Sequence, residues 1–406
     1  MMIDWAEWLN LAIRWFHLTA GIAWIGSSFY FVWLDNHLVP PKVGEASGEV
    51  WSVHGGGFYH KQKYQVAPSQ MPQDLHWFKW EAYTTWITGF LLLVLVYWIG
   101  AASFLIDPAK AALTPLQASG LGAAALVAGW LVYDGLCRSP LGRDDRALGA
   151  TWYAVLVAAA WGLCQVFSAR GAYLHVGAII GTAMVGNVFF VIIPNQRKVV
   201  AALVQGGVPD PALGKAAKAR SLHNNYMTLP VLLIMISHHY PMTFGAARPW
   251  LVLALLGLTG VAVRHVFNLR HRGQPLGRAI TVAVVLALVS VTYVSAEKVG
   301  VSAEKVGVSP EKAGTTRSAG GSADWASVEP IFARHCVSCH AAKPTSDLVT
   351  APPLGVMLDS RAHARMFAAR VKRVAVDAEI MPLGNTTGMT RAEREALGRW
   401  IEAGAP

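Results

Sequence analysis

The sequence predicts an all-α protein in which an eight-helix transmembrane bundle precedes a small soluble domain. Of its 406 residues, 54% are hydrophobic and only 14% are charged, whereas an average soluble domain is about one quarter charged. Eight apolar runs of the length that crosses a bilayer as a helix occupy the first 295 residues. They lie near 9–33, 81–106, 116–136, 147–167, 172–193, 222–240, 249–268 and 278–295.

The charges of the loops predict that both termini lie on the outer face of the membrane. The loops after the first, third, fifth and seventh runs contain fifteen Lys and Arg residues, and the loops on the other side contain three. Positively charged loops stay in the cytoplasm. The net charge of +10 is therefore interpreted as a topology signal, and we expect no nucleic-acid partner.

The segment after the last apolar run predicts a flexible linker. It contains three copies of a seven-residue repeat, VSAEKVG twice and then VSPEKAG, between positions 294 and 314. Low-complexity polar repeats cannot bury enough apolar surface to fold. We therefore expect a membrane domain at 1–295, a linker at 296–323 and a soluble domain at 324–406.

The soluble domain contains a haem-attachment motif. Cys336, Cys339 and His340 form C-x-x-C-H, in which both thiols add to the vinyl groups of a haem and the histidine is an axial ligand of the iron. A short helical run precedes the motif, and Met381 follows His340 by 41 residues. A final amphipathic helix begins at the capping box Thr390–Glu393. The whole segment resembles a small class I cytochrome c.

This resemblance implies one covalent haem c, with His340 and Met381 as the two axial ligands of the iron. A thioether ligand raises the reduction potential and suits an electron acceptor. Competing ligands are Met357, Met366 and Met389, which we expect to pack in the core instead. Because haem c is attached outside the cytoplasm, the motif agrees with the loop charges. We expect a bacterial inner-membrane protein whose cytochrome c domain is periplasmic.

Two histidines in the apolar runs are candidate ligands of a second haem. An ionisable side chain inside a membrane span is a functional candidate, although a neutral histidine can also bond a neighbouring helix. The segment around His17 is similar to the first helix of HemJ- and CopD-type membrane proteins, where the histidine is a haem or metal ligand. The fifth run begins comparably, with His175 followed by small residues. We therefore expect a b-type haem bound by His17 and His175.

Three stretches together resemble the membrane-bound urate hydroxylase family. They are WFHLTAGIAWIGSSFYFVWLDNHL at 15–38, VGNVFFVIIPNQRKVV at 185–200 and HNNYMTLPVLLIMISHHYP at 223–241. The resemblance extends over essentially the whole chain. It implies oxidation of urate to 5-hydroxyisourate in purine degradation, with electrons passed to haem and on to a downstream electron-transfer partner rather than to dioxygen.

The candidate catalytic residues lie near the cytoplasmic ends of the fifth, sixth and seventh runs. Urate is a planar anion, so a site needs cationic or amide groups for its edge and a base to activate water. Arginines near span ends also serve as topology anchors. The candidates are Asn195, Gln196, Arg197, His223 and Arg264. Two other functions fit the same pattern, a quinol–cytochrome c oxidoreductase and a transporter with a fused cytochrome c.

Overall fold

The computed structural model describes residues 5–64, 68, 72, 74–107, 110–305, 324–346, 349, 352–353 and 356–406. Most of this chain is α-helical. The α-helices are α1 Trp5–His37, α2 Trp80–Leu92, α3 Ala101–Phe104, α4 Pro115–Arg138, α5 Asp145–Val166, α6 Ala169–Gly186, α7 Ile193–Val204, α8 Pro211–Ser237, α9 Pro241–Phe244, α10 Pro249–His271, α11 Gly277–Lys305, α12 Trp325–His335, α13 Arg361–Met366, α14 Ala368–Val371 and α15 Arg391–Glu402. Three π-helical turns, Leu93–Ile99, Asn187–Ile192 and Lys372–Asp377, continue α2, α6 and α14.

Helix α6 forms the centre of the N-terminal bundle. It packs on α4, α5, α8 and α2, and α8 in turn packs on α10. Two glycines let its neighbours approach closely. A Cβ on Gly177 would lie 2.6 Å from Ile234, and one on Gly186 would lie 2.4 Å from the Trp130 ring. Close packing at small residues is how helices associate in a bilayer.

Within the described residues, six helical segments are long and apolar enough to cross a membrane: Trp80–Ile99, Pro115–Arg138, Asp145–Val166, Ala169–Val204, Pro249–His271 and Gly277–Ser295. Each coincides with one of the eight runs found in the sequence. The other two runs fall on α1 and α8, which are helical but are not among these segments. Several polar residues are buried along α8, including Arg220, Asn224 and Asn225, which is the pattern of a helix enclosed by others. The count of eight spans stays a prediction.

The long loop before α2 contains a β-hairpin, which the all-α prediction missed. Strand β1, Gly48–His54, pairs antiparallel with β2, Gly57–Lys63. The turn between them is Gly55–Gly56, and both residues have positive φ, 57° and 80°. A two-residue turn of this kind needs positive φ at both central positions, which glycine adopts without strain.

The expected linker is helical at its start. Helix α11 continues to Lys305, ten residues beyond the predicted end of the last span, because the repeat is rich in the helix-forming residues Ala, Glu and Lys. The remainder of the linker, residues 306–323, lies outside the described residues.

The C-terminal segment has its own core. Val328 and Phe332 of α12 pack with Leu397 and Trp400 of α15. The capping box predicted from sequence is present at the start of α15, where the side chains of Thr390 and Glu393 each accept from the other's backbone N–H. The helix predicted just before the cysteine motif is also present, as α12.

Candidate functional site

The cysteine motif follows directly from the end of α12. Asp324 caps the start of this helix, and Cys336 is its last cap residue. Burial raises the pKa of the Cys336 thiol to about 12, so this thiol stays protonated rather than forming a reactive thiolate. The Nδ1 of His340 lies 2.9 Å from the carbonyl oxygen of Val356. A carbonyl accepts only from a protonated Nδ1, which leaves Nε2 as the ring nitrogen with a free lone pair.

One cavity of about 1750 Å3 joins the two parts of the chain. Cys336, His340 and Met381 line it from the C-terminal side, and Cys339 is not among its lining residues. The opposite wall comes from the N-terminal bundle and is rich in basic groups. These include Arg14, Lys110, Arg170, His238 and His239. The segment Leu383–Asn385 packs on α3, so the C-terminal part sits at this end of the bundle.

The residues of this cavity fit a haem c. His340 offers Nε2, and Met381 offers a thioether to the same space. Two polar atoms of the opposite wall, Arg170 Nε and His238 Nδ1, are buried without a hydrogen-bond partner among the described residues. Buried polar groups are normally paired. When Arg170 Nε and His238 Nδ1 carry protons, the two carboxylates of a haem are suitable acceptors for them.

His175 does not fit a haem b iron. Its ring is fully buried, and Nδ1 is bonded to the carbonyl oxygen of Gly171 at 2.8 Å. Nε2 accepts from the indole N–H of Trp98 at 3.2 Å. A Cβ on Gly122 would lie 2.5 Å from Nε2, so the adjoining helix fills the space beside that nitrogen. His175 therefore has no ring nitrogen available for iron.

His17 is more open. Its ring is half-buried, and Nδ1 lies 3.0 Å from the carbonyl oxygen of Thr85 and 3.1 Å from the Thr88 hydroxyl. This arrangement leaves Nε2 as a possible ligand atom. Ligation of a haem b by His17 stays a prediction.

A buried polar network joins α4, α6 and α8. The amide of Asn187 donates to Tyr133 and to Asn224, each at 2.8 Å. Its carbonyl oxygen accepts from Arg220 at 2.9 Å, and Arg220 pairs with Asp134 at 2.6 Å. Every group thus has a partner, which makes the network a stable connection between the three helices.

His223 belongs to the edge of this network. Its Nδ1 lies 2.9 Å from the Tyr133 hydroxyl, and its Nε2 lies 3.6 Å from Asp145 at the start of α5. Asp145 is 55% exposed. His223 therefore connects the buried network to the surface of the bundle.

Arg264, on α10, contacts another face of α8. Its Nε donates to the Asn225 carbonyl oxygen at 3.1 Å, and the Asn268 amide donates to the same oxygen at 2.8 Å. Among the described contacts none joins Arg264 to His223, so the structure does not bring these two candidates together.

The three consecutive catalytic candidates on α7 lie in different surroundings. Gln196 lines a cavity of about 860 Å3 together with Asn225 and Asn268. Asn195 instead donates to the carbonyl oxygen of Leu213 at 3.3 Å, and Arg197 is exposed. Of these three candidates, only Gln196 lines the same cavity as Asn225, which accepts the hydrogen bond from Arg264.

Sequence reasoning missed three buried asparagines, Asn187, Asn225 and Asn268. A signal was available, because an asparagine within an apolar helix costs free energy unless its amide is paired. Asn187 and Asn268 lie inside two of the predicted spans, and Asn225 lies in the sixth.

Comparison with known protein families gives a match to the N-terminal part of the chain. A family model described as Urate oxidase N-terminal matches residues 4–296. No curated protein and no solved structure matches the chain. The matched region extends from α1 into α11 and ends before α12. Since it covers more than half of the chain, the protein belongs to the urate oxidase N-terminal family.

Proposed function

We propose that the protein is a membrane-bound enzyme that oxidises urate to 5-hydroxyisourate and passes the electrons to a haem c. One water is consumed, and each turnover releases two protons and two electrons. The observation that carries the proposal is the shared cavity, in which Cys336, His340 and Met381 face the helical domain of a urate oxidase family.

The C-terminal residues would bind and orient the cofactor. Cys336 and Cys339 would form the thioether bonds, and the Val356 carbonyl would hold His340 with Nε2 toward the iron. Met381 would offer its thioether to the iron, and Arg14 and Arg170 would bind the propionates. When bound, the haem would supply a one-electron acceptor.

His223 is the proposed proton acceptor. Its bond to Tyr133 fixes the ring, and its position 3.6 Å from Asp145 gives a proton a route to an exposed carboxylate. A histidine is suited to this task because its ordinary pKa lies near neutrality. Asn195 and Arg197 stay proposed contributors at the same end of the bundle.

The proposed location is the bacterial inner membrane, with multiple spans and the C-terminal domain in the periplasm. The six apolar helices could cross a bilayer, and the loop charges favour this orientation. The haem c would then donate to a soluble or membrane-bound electron-transfer partner. A b-type haem with His17 as one ligand is proposed as an intermediate carrier, and a pyridine haemochrome that shows only c-type haem would rule it out.

The test is a stopped-flow measurement without oxygen. Oxidised full-length protein is mixed with urate, and haem absorbance is followed. We expect reduction of the haem, formation of 5-hydroxyisourate and, in aerobic controls, no hydrogen peroxide. A flat trace in protein that dithionite reduces would contradict the proposal. Reduction by a quinol, or binding of urate without electron transfer, would instead favour a quinol oxidoreductase or a transporter.

A further inference from the structure

Asn225, Arg264 and Asn268 form a compact polar cluster inside the bundle. They are 2%, 2% and 3% exposed. Arg264 and Asn268 lie one turn apart on α10, and the carbonyl oxygen of Asn225 on α8 accepts from both of them, at 3.1 and 2.8 Å. Because this oxygen receives two donors, the orientation of both amides is set by the cluster itself.

Each member of the cluster keeps one polar atom without a partner among the described residues. These atoms are Asn225 Nδ2, Arg264 Nη2 and Asn268 Oδ1. A buried polar atom without a hydrogen bond destabilises the folded protein, and the cost is larger when the group is charged. Two donors and one acceptor within one cluster are the complement of a ligand edge that carries both carbonyl and N–H groups.

The cluster is positively charged. The described residues place no carboxylate within ion-pair distance of Arg264, whereas the other buried arginine of the bundle, Arg220, is paired with Asp134. The guanidinium carbon of Arg264 lies 3.7 Å from the centroid of the Phe29 ring, which holds the fork in one orientation. A buried cation of this kind requires an anionic partner.

A cavity gives access to the cluster. Asn225 and Asn268 line the cavity of about 860 Å3, a volume within the usual range for small-molecule sites. Arg264 lines a separate cavity of about 470 Å3 instead, together with Phe29. Trp77 offers an aromatic ring in its wall, and Lys218 and Arg272 add positive charge. Asp35 also lines this cavity, but it is paired with Lys63 at 2.7 Å. The cavity therefore favours a planar anion.

We infer that Asn225 and Asn268 bind the lactam edge of a planar heterocyclic anion beside the positive charge of Arg264, and under the proposed function this anion is urate. The assignment rests on that function for the identity of the ligand. It adds Asn225 and Asn268 as recognition residues and excludes His223 from direct contact with this edge. Arg264 lies fifteen residues along α10 from Pro249, which lines the large cavity, or about 22 Å at 1.5 Å per residue. The binding site is thus separate from the haem crevice.

The test measures binding rather than turnover. Full-length protein is reduced with dithionite so that it cannot oxidise its ligand, and radiolabelled urate is bound at equilibrium without oxygen. Three variants are compared with the wild type. Asn225→Asp places a carboxylate beside Arg264, Arg264→Lys keeps the charge but loses the fork, and Asn268→Leu removes the amide at nearly constant volume.

We expect the dissociation constant for urate to rise at least tenfold in each variant. Preference for urate over hypoxanthine, a neutral purine with fewer carbonyl groups, should also fall, which a purely structural defect would not cause. The control is Gln117→Glu, which adds the same charge at an exposed helix start and keeps its capping box. A dithionite-reducible haem spectrum and a single elution peak identify folded protein. If Asn225→Asp does not fold, the conclusion rests on the urate affinity of Arg264→Lys.

The outcomes separate the two proposals. Wild-type affinity in folded Asn225→Asp or Arg264→Lys protein overturns the assignment of this site and leaves urate oxidation intact. Absence of urate binding in the wild type overturns both.

Discussion

The carboxylate of Asp134 lies 2.6 Å from the buried guanidinium of Arg220. The same carboxylate also pairs with Arg138 at 2.7 Å, but the side chain of Arg138 is 71% exposed while that of Arg220 is 8% exposed. The Asp134 carboxylate therefore forms ion pairs with one exposed and one buried arginine.

Removing the acid should destabilise the bundle strongly. Asp134→Ala leaves the buried charge of Arg220 without its ion pair, and breaking a buried pair costs about 3–5 kcal/mol. We expect a large fall in the thermal unfolding midpoint of the protein in detergent. Arg138→Ala is the matched control, because exposed ion pairs contribute about 0–1 kcal/mol. Equal shifts of the unfolding midpoint in the two variants would show that the buried ion pair stabilises the protein no more than the exposed one.

Met381 should determine the reduction potential of the proposed C-terminal haem. Met381→Ala removes the proposed thioether ligand, so we expect the potential to fall by on the order of 0.1 V, within the roughly 0.8 V range that axial ligands cover. The Met–iron charge-transfer band should disappear. Met389, whose N–H bonds to the Asn385 side chain and which packs in the C-terminal core, is the control. If Met389→Ala removes the band instead, the ligands have been assigned wrongly.

Glu393 should make the C-terminal domain sensitive to acid. Hydrogen bonds from the Thr390 backbone and hydroxyl, and from the His335 ring, lower the pKa of Glu393 to about 2. The carboxylate therefore stabilises the folded domain fully above its ordinary pKa, about 4.3, and this contribution is lost as the pH falls from there toward 2. Arg334 lies 3.1 Å from the same carboxylate and adds to the effect.

Glu393→Gln should flatten this dependence. Glutamine can still complete the capping box, but it does not titrate. We expect the urea midpoint of full-length protein, followed by haem absorbance, to fall less between pH 5.5 and pH 3.5 in the variant than in the wild type. Glu395→Gln on the exposed side of α15 should behave like the wild type. Parallel curves for all three proteins would mean that another group controls the acid response.

The sequence predicted the helices well, because apolar runs of twenty residues and capping boxes are local signals. Every predicted run is helical in the structure, and α15 begins at Thr390 as expected. The hairpin was missed although the Gly55–Gly56 turn is a recognisable hairpin signal. Only β1 has buried residues, Gly48 and Glu49, and β2 is mostly exposed, so the hairpin has no fully buried apolar face whose period would identify strands in the sequence.

The candidate site was only partly predictable. Arg264 was named from its charge in an apolar run, but its partners depend on which faces of α8 and α10 meet. His223 and Asn225 are two residues apart, about 200° around a helix, and a single sequence does not show which of them faces α10. His175 was misleading for a similar reason, since its bond to Trp98 joins residues 77 positions apart.

The linker should be accessible only from outside the cell. The eight spans predicted from the sequence and the fifteen positive charges on alternate loops would place both ends of the bundle, and thus the linker, in the periplasm. Trypsin has targets at Lys312 and Arg317, beyond the end of α11 at Lys305. Trypsin added to intact spheroplasts should therefore release a haem-bearing C-terminal fragment, while inverted vesicles should protect it.

Cleaved protein should still bind urate but reduce its haem more slowly, because the linker no longer keeps the two parts at high effective concentration. Release of the fragment from inverted vesicles alone would reverse the predicted topology. Unchanged turnover after cleavage would show that the contact between Leu383–Asn385 and α3 holds the domains together without the linker.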